Sequence, residues 1–322
     1  MNNNYTLSVG FNGDIENLKK ILSNKQHRIE TIYTGGYLKE VSSGRVQYSE
    51  NKEKLKEIID ISHKHNVKIA ITLNSPCNVK PKSDENWWKQ LTEYIIDLEK
   101  IGVDSVIVAH PFIMEVVKEK TKLELIASVI CDVTSVRAAM YYEQMGVDVI
   151  VPSASVNYDL ELLKDMKRNL KKARIKLLIN EPCLGNCPWR KFHHNAICHA
   201  SKKGEDRDYA EKCTGLYNEK PYFMLTNNVV RPEDLKKYEG ICDYFKLVGR
   251  TTDSDTLYNM VEAYSNGYYK GNLNDIVDKG FAQIINIPNE KLNNGFFEHK
   301  LSCKKNCLNC SYCKELYKKI NE

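Results

Sequence analysis

The chain has 322 residues, of which 42% are hydrophobic, and a formal net charge of +5. That length suits one large domain or two small ones with a substantial hydrophobic core. No apolar run reaches about eighteen residues, which excludes a membrane-spanning helix, and the mild, dispersed charge gives only weak support for nucleic-acid binding.

Eight short apolar runs, most of them rich in β-branched residues, are predicted to form strands. Continuous apolar runs of this kind are typical of strands buried on both faces of a parallel sheet. The predicted strands are Tyr5–Gly10, Ile29–Thr34, Val67–Leu73, Asp104–Ala109, Leu123–Val129, Val147–Pro152, Ile175–Asn180 and Asp243–Val248.

Amphipathic stretches alternate with these strands and are predicted to be helices. They are Asp14–Lys25, Asn51–Asn66, Asp84–Ile101, Pro111–Lys120, Thr134–Met145, Val156–Leu170, Arg231–Tyr238 and Asp253–Gly267. Eight strands alternating with eight helices predict an α/β fold, a (β/α)8 TIM-like barrel over residues 1–268, with an open doubly wound sheet as the alternative. Pro221–Thr226 is predicted to add a short strand at the rim.

The ends of the predicted strands carry the candidate catalytic residues, because chemistry in such barrels lies on the loops that follow the strands. Strand four ends at His110, strand seven at Glu181, and strand eight at Lys246 and Arg250. Taken singly, each is more easily explained as a helix cap or a surface residue. Amides and hydroxyls also end several strands, and a mouth with amides, hydroxyls and cations favours an anionic substrate. Glu181 and His110 are predicted to move protons. Lys246 and Arg250, with Arg190 from the loop after strand seven, are predicted to hold a carboxylate.

The loop that follows strand seven holds four thiols, at Cys183, Cys187, Cys198 and Cys213. A single free cysteine usually packs as a small hydrophobe, but no hydrophobic period continues through this loop to explain four of them. Their irregular spacing favours an iron–sulfur cluster, with zinc as the alternative. Two cysteines at other strand ends are the reserve ligands, Cys77 and Cys131.

A second cysteine motif lies in residues 269–322, the C-terminal extension, within the run SCKKNCLNCSYCKELYKKI. It contains Cys303, Cys307, Cys310 and Cys313, and the last three recur at every third residue. This C-x2-C-x2-C rhythm is typical of ferredoxin cluster loops. Lysines and asparagines separate the thiols, so they do not form an apolar core. We predict a second 4Fe–4S site here, with zinc as the alternative.

The N-terminal stretch lacks a charged region followed by an apolar core, so no signal peptide is expected. Eleven cysteines in such a chain indicate metal binding in a reducing compartment rather than a disulfide framework. The expected location is the cytoplasm.

Three segments of the chain resemble the peptidase U32 family: INEPCLGNCPWRKFHHN, YFMLTNNVVRPEDLKKYEG and DYFKLVGRTTDSDTLYNMVEAYSNGYY. The last resembles a strand that ends in Lys246, Gly249 and Arg250, before a helix with an Ala-Tyr pair. In the first half of the chain, Asn74 and Ser128 match the family weakly.

The resemblance implies two kinds of activity. The family name implies proteolysis, whereas the better understood members are cysteine-ligated 4Fe–4S proteins. Those members act in oxygen-independent hydroxylation of transfer RNA, ribosomal RNA or the ubiquinone ring, with prephenate as the oxygen donor. The resemblance thus implies an iron–sulfur-dependent modifying enzyme that acts on an RNA, a peptide or a small aromatic substrate.

Two alternatives stay open. A U32-type peptidase is one, although the sequence contains no G-x-S-x-G elbow and no H-E-x-x-H helix. The other is a non-catalytic iron–sulfur protein that pairs with a related U32-type subunit. The chain also departs from the family, since Ser153 and Ala154 stand where an Arg-Glu pair is common, and since Cys183 and Cys187 are unusually close. These departures leave the substrate more open than the cluster.

Overall fold

The structure, a computed structural model, describes residues 5–38, 51–76, 79–203, 208–242, 244–277, 279–292 and 294–322, with only the backbone of 199–203, 208–211 and 294. Eight parallel strands pair in chain order and close into a barrel. They are β1 (Thr6–Gly10), β2 (Ile29–Gly35), β3 (Lys68–Leu73), β4 (Ser105–Val108), β5 (Glu124–Ala127), β6 (Val149–Ile150), β7 (Arg174–Leu178) and β8 (Tyr244–Lys246). The predicted (β/α)8 TIM-like barrel is therefore confirmed.

Helices surround the barrel and continue into the extension. Several begin where the sequence places a cap: the Asp14 side chain accepts from Asn17 N–H, and Pro111 opens α4. The helices are α1 (Ile15–Ser23), α2 (Lys52–Lys64), α3 (Glu85–Lys100), α4 (Pro111–Lys120), α5 (Val136–Gln144), α6 (Leu160–Asn169), α7 (Arg190–Lys203), α8 (Asp208–Glu219), α9 (Ser254–Asn266), α10 (Lys279–Ala282), α11 (Asn294–Ser302) and α12 (Tyr312–Asn321). Across the described ranges, none of these is both long enough and apolar enough to cross a bilayer.

Three local predictions were wrong. Pro221–Thr226 is a 3₁₀ helix rather than a rim strand, because Pro221 fixes a helical φ and Phe223 N–H donates to Lys220 C=O at 2.9 Å. The stretch predicted as a helix near Arg231 is a 3₁₀ run, Pro232–Tyr238. The segment after β7, predicted as a loop, contains α7 and α8.

The barrel interior is filled and is closed at its N-terminal end by charged side chains. Lys176 on β7 is buried, and its ammonium donates to Glu30 on β2 at 3.1 Å. Arg174 bridges Glu30 and Glu124, at 3.2 and 2.5 Å. An apolar layer lies above them, formed by Tyr33, Ala70, Ile107, Ile126, Val129, Val149, Val151 and Leu178. The interior is thus a packed core, as in other barrels of this kind.

The C-terminal extension packs on the side of the barrel near α6. The Arg231 guanidinium donates to Leu292 C=O at 2.6 Å, and the rings of Tyr158 and Phe297 lie 5.4 Å apart. Both contacts join barrel residues to the extension, so its position is set by packing as well as by the chain connection.

Candidate functional site

Two cations predicted at the barrel mouth lie beside the same aromatic ring. Lys246 Nζ is 4.1 Å from the centroid of the Tyr33 ring, and Arg250 Cζ is 5.7 Å from it. The Tyr33 hydroxyl donates to Leu247 C=O at 2.7 Å, which fixes the ring. Arg250 Nη1 also donates to Thr72 Oγ1 at 3.3 Å. A ring face attracts cations, so Tyr33 holds both positive side chains at the mouth.

Gly10, at the end of β1, makes room for the arginine. A Cβ at this position would lie 2.8 Å from Arg250 Cγ, closer than real Cβ atoms approach, and 3.1 Å from the Tyr33 ring, which is a tight contact. A glycine is therefore needed for the Arg250 stem to pass over β1. Sequence reasoning missed Gly10 and Tyr33, because each gains its role only from strands distant in the chain.

Glu181 and Arg190 form an ion pair at the same mouth. Arg190 Nη1 contacts Glu181 Oε2, and the side chains are 17% and 6% exposed. Burial lowers the pKa of Arg190, but Glu181 and the Cys183 thiol raise it more, so the guanidinium stays charged. Its Nη2 atom is buried without a hydrogen-bond partner among the described residues. Such a donor is costly to leave unpaired, and it suits an oxygen of a bound ligand.

Asn74 and Ser128, which matched the family weakly, are in direct contact. The Asn74 amide donates to Ser128 Oγ at 2.9 Å, so the ends of β3 and β5 are joined at the mouth. Asn74 Oδ1 is buried and has no hydrogen-bond partner in the described part of the chain. That oxygen is an acceptor available to a bound ligand.

A cavity of about 70 Å³ lies at the mouth, lined by Tyr33, Asn74 and Glu181 among others, whereas Arg190 and Ser128 are not among its lining residues. Two residues of α7, His194 and Ile197, form part of its wall. Its lining includes two cations, Lys246 and Arg250, together with the Asn74 amide and one acid, Glu181. Since the cations outnumber the acid, the cavity favours an anion.

His110, the fourth predicted catalytic residue, lies outside this set. It is the N-cap of α4, where its Nδ1 accepts from Phe112 N–H at 3.3 Å. Burial lowers its pKa, and Glu115 opposes that effect. It is not among the residues that line the mouth cavity. Its described contacts are those of a helix cap.

Three of the four thiols after β7 gather around Tyr217 on α8. Burial raises the pKa of Tyr217, and the thiols of Cys183, Cys213 and Cys187 raise it further. Burial also raises the pKa of Cys213, as does Cys187. The Tyr217 hydroxyl donates to Pro182 C=O at 2.9 Å, which anchors α8 to the loop. This group of side chains adjoins the mouth, because Glu181 directly precedes it in the chain.

The fourth thiol, Cys198 on α7, is buried and lies 2.8 Å from Ser75 Oγ at the end of β3. Of the reserve ligands, Cys77 lies outside the described residues. Cys131 is turned toward the C=O groups of Val108 and Ala109, at 3.7 and 3.6 Å. Burial raises the pKa of Cys131 to about 11, although Tyr142 opposes this. It behaves as a packed thiol.

The donor chemistry of the Tyr217 group fits a thiolate-bound metal centre, since three soft ligands lie around one side chain: Cys183 and Cys187 from the loop after β7, and Cys213 from α8. Their positions are not those of a closed ligand shell. Within the described ranges, no three His, Cys, Asp or Glu side chains are arranged to hold a metal ion.

The thiols of the extension are grouped as well. Burial raises the pKa of Cys313 to about 11; Lys300 opposes this, and Cys303, Cys307 and Cys310 add to it. All four line a cleft of about 1670 Å³ between the extension and the barrel. Gly185, from the loop after β7, lines the same cleft and packs against Thr226 C=O.

Comparison with known proteins gives three results. A family model described as Peptidase family U32 matches residues 13–306. An uncharacterized protease of Methanocaldococcus jannaschii is 31% identical over 97% of this chain and 98% of its own length. A 23S rRNA 5-hydroxycytidine synthase of Escherichia coli is 29% identical over 41% of this chain, which is only 19% of its own length.

Among solved structures, a U32 peptidase has a TM-score of 0.57 and 18% identity, over 76% of this chain and 93% of that one. At this identity the likeness concerns the fold alone. It agrees with the closed eight-stranded barrel described above.

Proposed function

Because the chain belongs to peptidase family U32, we propose that it is an iron–sulfur-dependent modifying enzyme that hydroxylates its substrate without molecular oxygen. The observation that carries this proposal is the placement of a cationic mouth next to a thiol-rich loop. The limited similarity to the rRNA hydroxycytidine synthase of E. coli also supports a modifying enzyme. The substrate is an RNA, a peptide or a small aromatic molecule.

In this proposal the mouth binds a carboxylated co-substrate, such as prephenate, which supplies the oxygen atom. The planar fork of Arg250 matches a carboxylate, and Lys246 adds a second positive charge. Glu181 orients Arg190, whose buried Nη2 donates to the ligand. Asn74 accepts from a ligand hydroxyl through its buried Oδ1.

A 4Fe–4S cluster held by Cys183, Cys187, Cys213 and Cys198 supplies one-electron chemistry when bound. Cys198 joins the other three only by exchanging its contact with Ser75 for the metal. Glu181 is the proton carrier nearest this loop, and His110 is the more distant candidate. Thiol ligands of this kind require a reducing compartment, which supports a cytoplasmic location.

The second candidate function is peptide hydrolysis, favoured by the names of the M. jannaschii relative and the solved U32 structure. A cysteine nucleophile needs a neighbouring base such as histidine. Ser75, whose hydroxyl lies 2.8 Å from the buried Cys198 thiol, is too weak a base to be that partner. A partner role without catalysis remains the third candidate.

The test is anaerobic purification of the full chain, followed by iron and sulfide analysis. We expect brown protein, and we expect Cys183→Ser with Cys187→Ser to lose about four irons. Cys242→Ser is the matched control, since that buried thiol contacts Ile175 C=O and Tyr244 C=O instead. Colourless protein with stoichiometric zinc would refute the proposal.

A deletion strain then separates an enzyme from a partner protein. Loss of one hydroxylated nucleoside, peptide or aromatic compound, restored by wild type but not by Arg250→Lys, supports the hydroxylase. An unchanged profile together with hydrolysis of added peptides by pure protein favours the peptidase. An unchanged profile without hydrolysis favours the partner role.

A further inference from the structure

The fold of the extension brings its thiols together from two helix ends. Cys303 follows α11, Lys305 adopts a left-handed backbone with φ 58°, and a 3₁₀ turn covers Cys307–Asn309 before α12. The rings of His299 on α11 and Tyr312 on α12 stack face to face, with 12° between their planes. This stacking holds the two helix ends side by side, so that thiols ten residues apart become neighbours.

These thiols are placed unlike packing residues. Cys307 and Cys310 are exposed, and Leu308 between them is 97% exposed. A free thiol gains nothing from such a position and is open to oxidation. Two exposed and two half-buried thiols line one cleft; they are not arranged around a single metal ion, but four soft ligands grouped in this way suit a larger iron–sulfur cluster.

Lys300 places a positive charge beside the same thiols. Its ammonium donates to Asn227 C=O at 2.5 Å and to Leu225 C=O at 3.2 Å. It also lies 4.8 Å from the centroid of the Tyr158 ring. Backbone carbonyls and a ring fix the ammonium in place, and no carboxylate is among these partners. The ammonium is therefore fixed without a carboxylate partner in these contacts, in the cleft that the four thiols line.

We propose that Cys303, Cys307, Cys310 and Cys313 bind a 4Fe–4S cluster, and that Lys300 is a fixed counter-charge beside it. A cluster with four thiolates carries net negative charge, which a neighbouring ammonium stabilises. The C-x2-C-x2-C spacing of the last three thiols favours the cluster over zinc, whose knuckles stand further apart. This site is independent of the proposed function, because it uses none of the mouth residues or β7-loop thiols.

The experiment uses the full chain, reconstituted anaerobically with ferrous iron and sulfide. Cys307→Ser with Cys310→Ser removes two exposed ligands and is expected to keep the fold and lose about four irons. Ser302→Ala is the matched control for a change next to the motif. Iron content equal to wild type, or stoichiometric zinc in its place, would overturn the proposal.

The same measurement on Cys183→Ser with Cys187→Ser separates the two sites. If the extension holds a cluster of its own, the Cys183/Cys187 variant keeps the irons of the extension, which the Cys307/Cys310 variant loses. Combining all four changes then removes the irons of both sites. If the extension variant is unaffected while the β7-loop variant loses iron, this proposal fails and the proposed function stands. The reverse result refutes only the loop cluster.

The role of Lys300 is tested through the reduction potential of the extension cluster. Removing a nearby positive charge disfavours the more negative reduced state, so Lys300→Gln should shift the potential to a more negative value. Lys300→Arg keeps the charge and should restore it. Lys314→Gln, a lysine of the same cleft on α12, is the matched control. Equal potentials in wild type and Lys300→Gln would remove Lys300 from the proposal.

Discussion

Replacing Gly185 with alanine tests how tightly the loop after β7 is held. A Cβ at Gly185 would lie 2.5 Å from Thr226 C=O, whereas carbon–oxygen contacts normally need about 3.3 Å or more. The two backbone segments must therefore separate by roughly 0.8 Å. Overpacking of this kind costs about 1–3 kcal/mol. We expect Gly185→Ala to lower the free energy of unfolding by about 2 kcal/mol.

Gly185→Ala should also weaken iron binding by the thiols after β7 and by those of the extension. Gly185 lies between Cys183 and Cys187, and Thr226 lies between the two carbonyls that bind Lys300. We therefore expect Gly185→Ala to retain less iron than wild type after anaerobic reconstitution.

Urea denaturation gives the stability, and iron analysis gives the second readout. The control is Gly215→Ala on α8, where a Cβ meets no atom within 4 Å. Alanine is the better helix former, so this variant should gain up to about 1 kcal/mol. Equal stability of the two variants would show that Thr226 yields without cost and would refute the reasoning.

Three further predictions concern the barrel. Glu30→Gln leaves the buried ammonium of Lys176 without its counter-charge. It should lower the free energy of unfolding, measured in urea, by about 3 kcal/mol, and adding Lys176→Met should recover most of that loss. Equal stability of the single and double variants would contradict this. Arg250→Lys keeps the charge but loses the planar fork, so turnover should fall about tenfold or more with normal iron content; wild-type turnover would exclude a carboxylate clamp. Burial raises the pKa of Glu143, but hydrogen bonds from three backbone N–H groups lower it more. The ionised carboxylate therefore stabilises the fold at pH values above the usual carboxyl range, and this contribution is lost as the pH falls through the lowered pKa. Glu143→Gln should thus lower the free energy of unfolding by about 1 kcal/mol at pH 7 and leave it unchanged at strongly acidic pH. Thermal unfolding of both proteins across this pH range measures the difference.

The barrel could be predicted from the sequence because its strands are continuous apolar runs. All eight predicted strands are present, but β6 and β8 are much shorter than predicted, with two and three residues, and Asp243 lies outside the described residues. The rim strand at Pro221–Thr226 was wrong, since short apolar runs also occur in 3₁₀ helices. The helices α7 and α8 were missed because polar residues and thiols dilute their amphipathic pattern.

The site was predicted in part, for a geometric reason. Lys246, Arg250 and Glu181 follow strands, and the carboxyl ends of parallel strands meet at one mouth. His110 follows a strand too, but its ring turns back to cap α4. The roles of Tyr33 and Gly10 depend on how far side chains reach across the barrel, and strand positions alone do not reveal that.

The ion network at the N-terminal end of the barrel has a kinetic consequence. Lys176, Glu30 and Arg174 close that end beneath an apolar layer, so both reactants of the proposed reaction share the opening at the mouth. The mouth cavity of about 70 Å³ has room for only about two water molecules, so a reactant displaces part of its wall on entering. If the proposed reaction uses this opening for both reactants, their binding is ordered: the carboxylated reactant enters first, and its remnant leaves last. Steady-state kinetics should then show the bulky substrate, in excess, inhibiting by trapping the remnant.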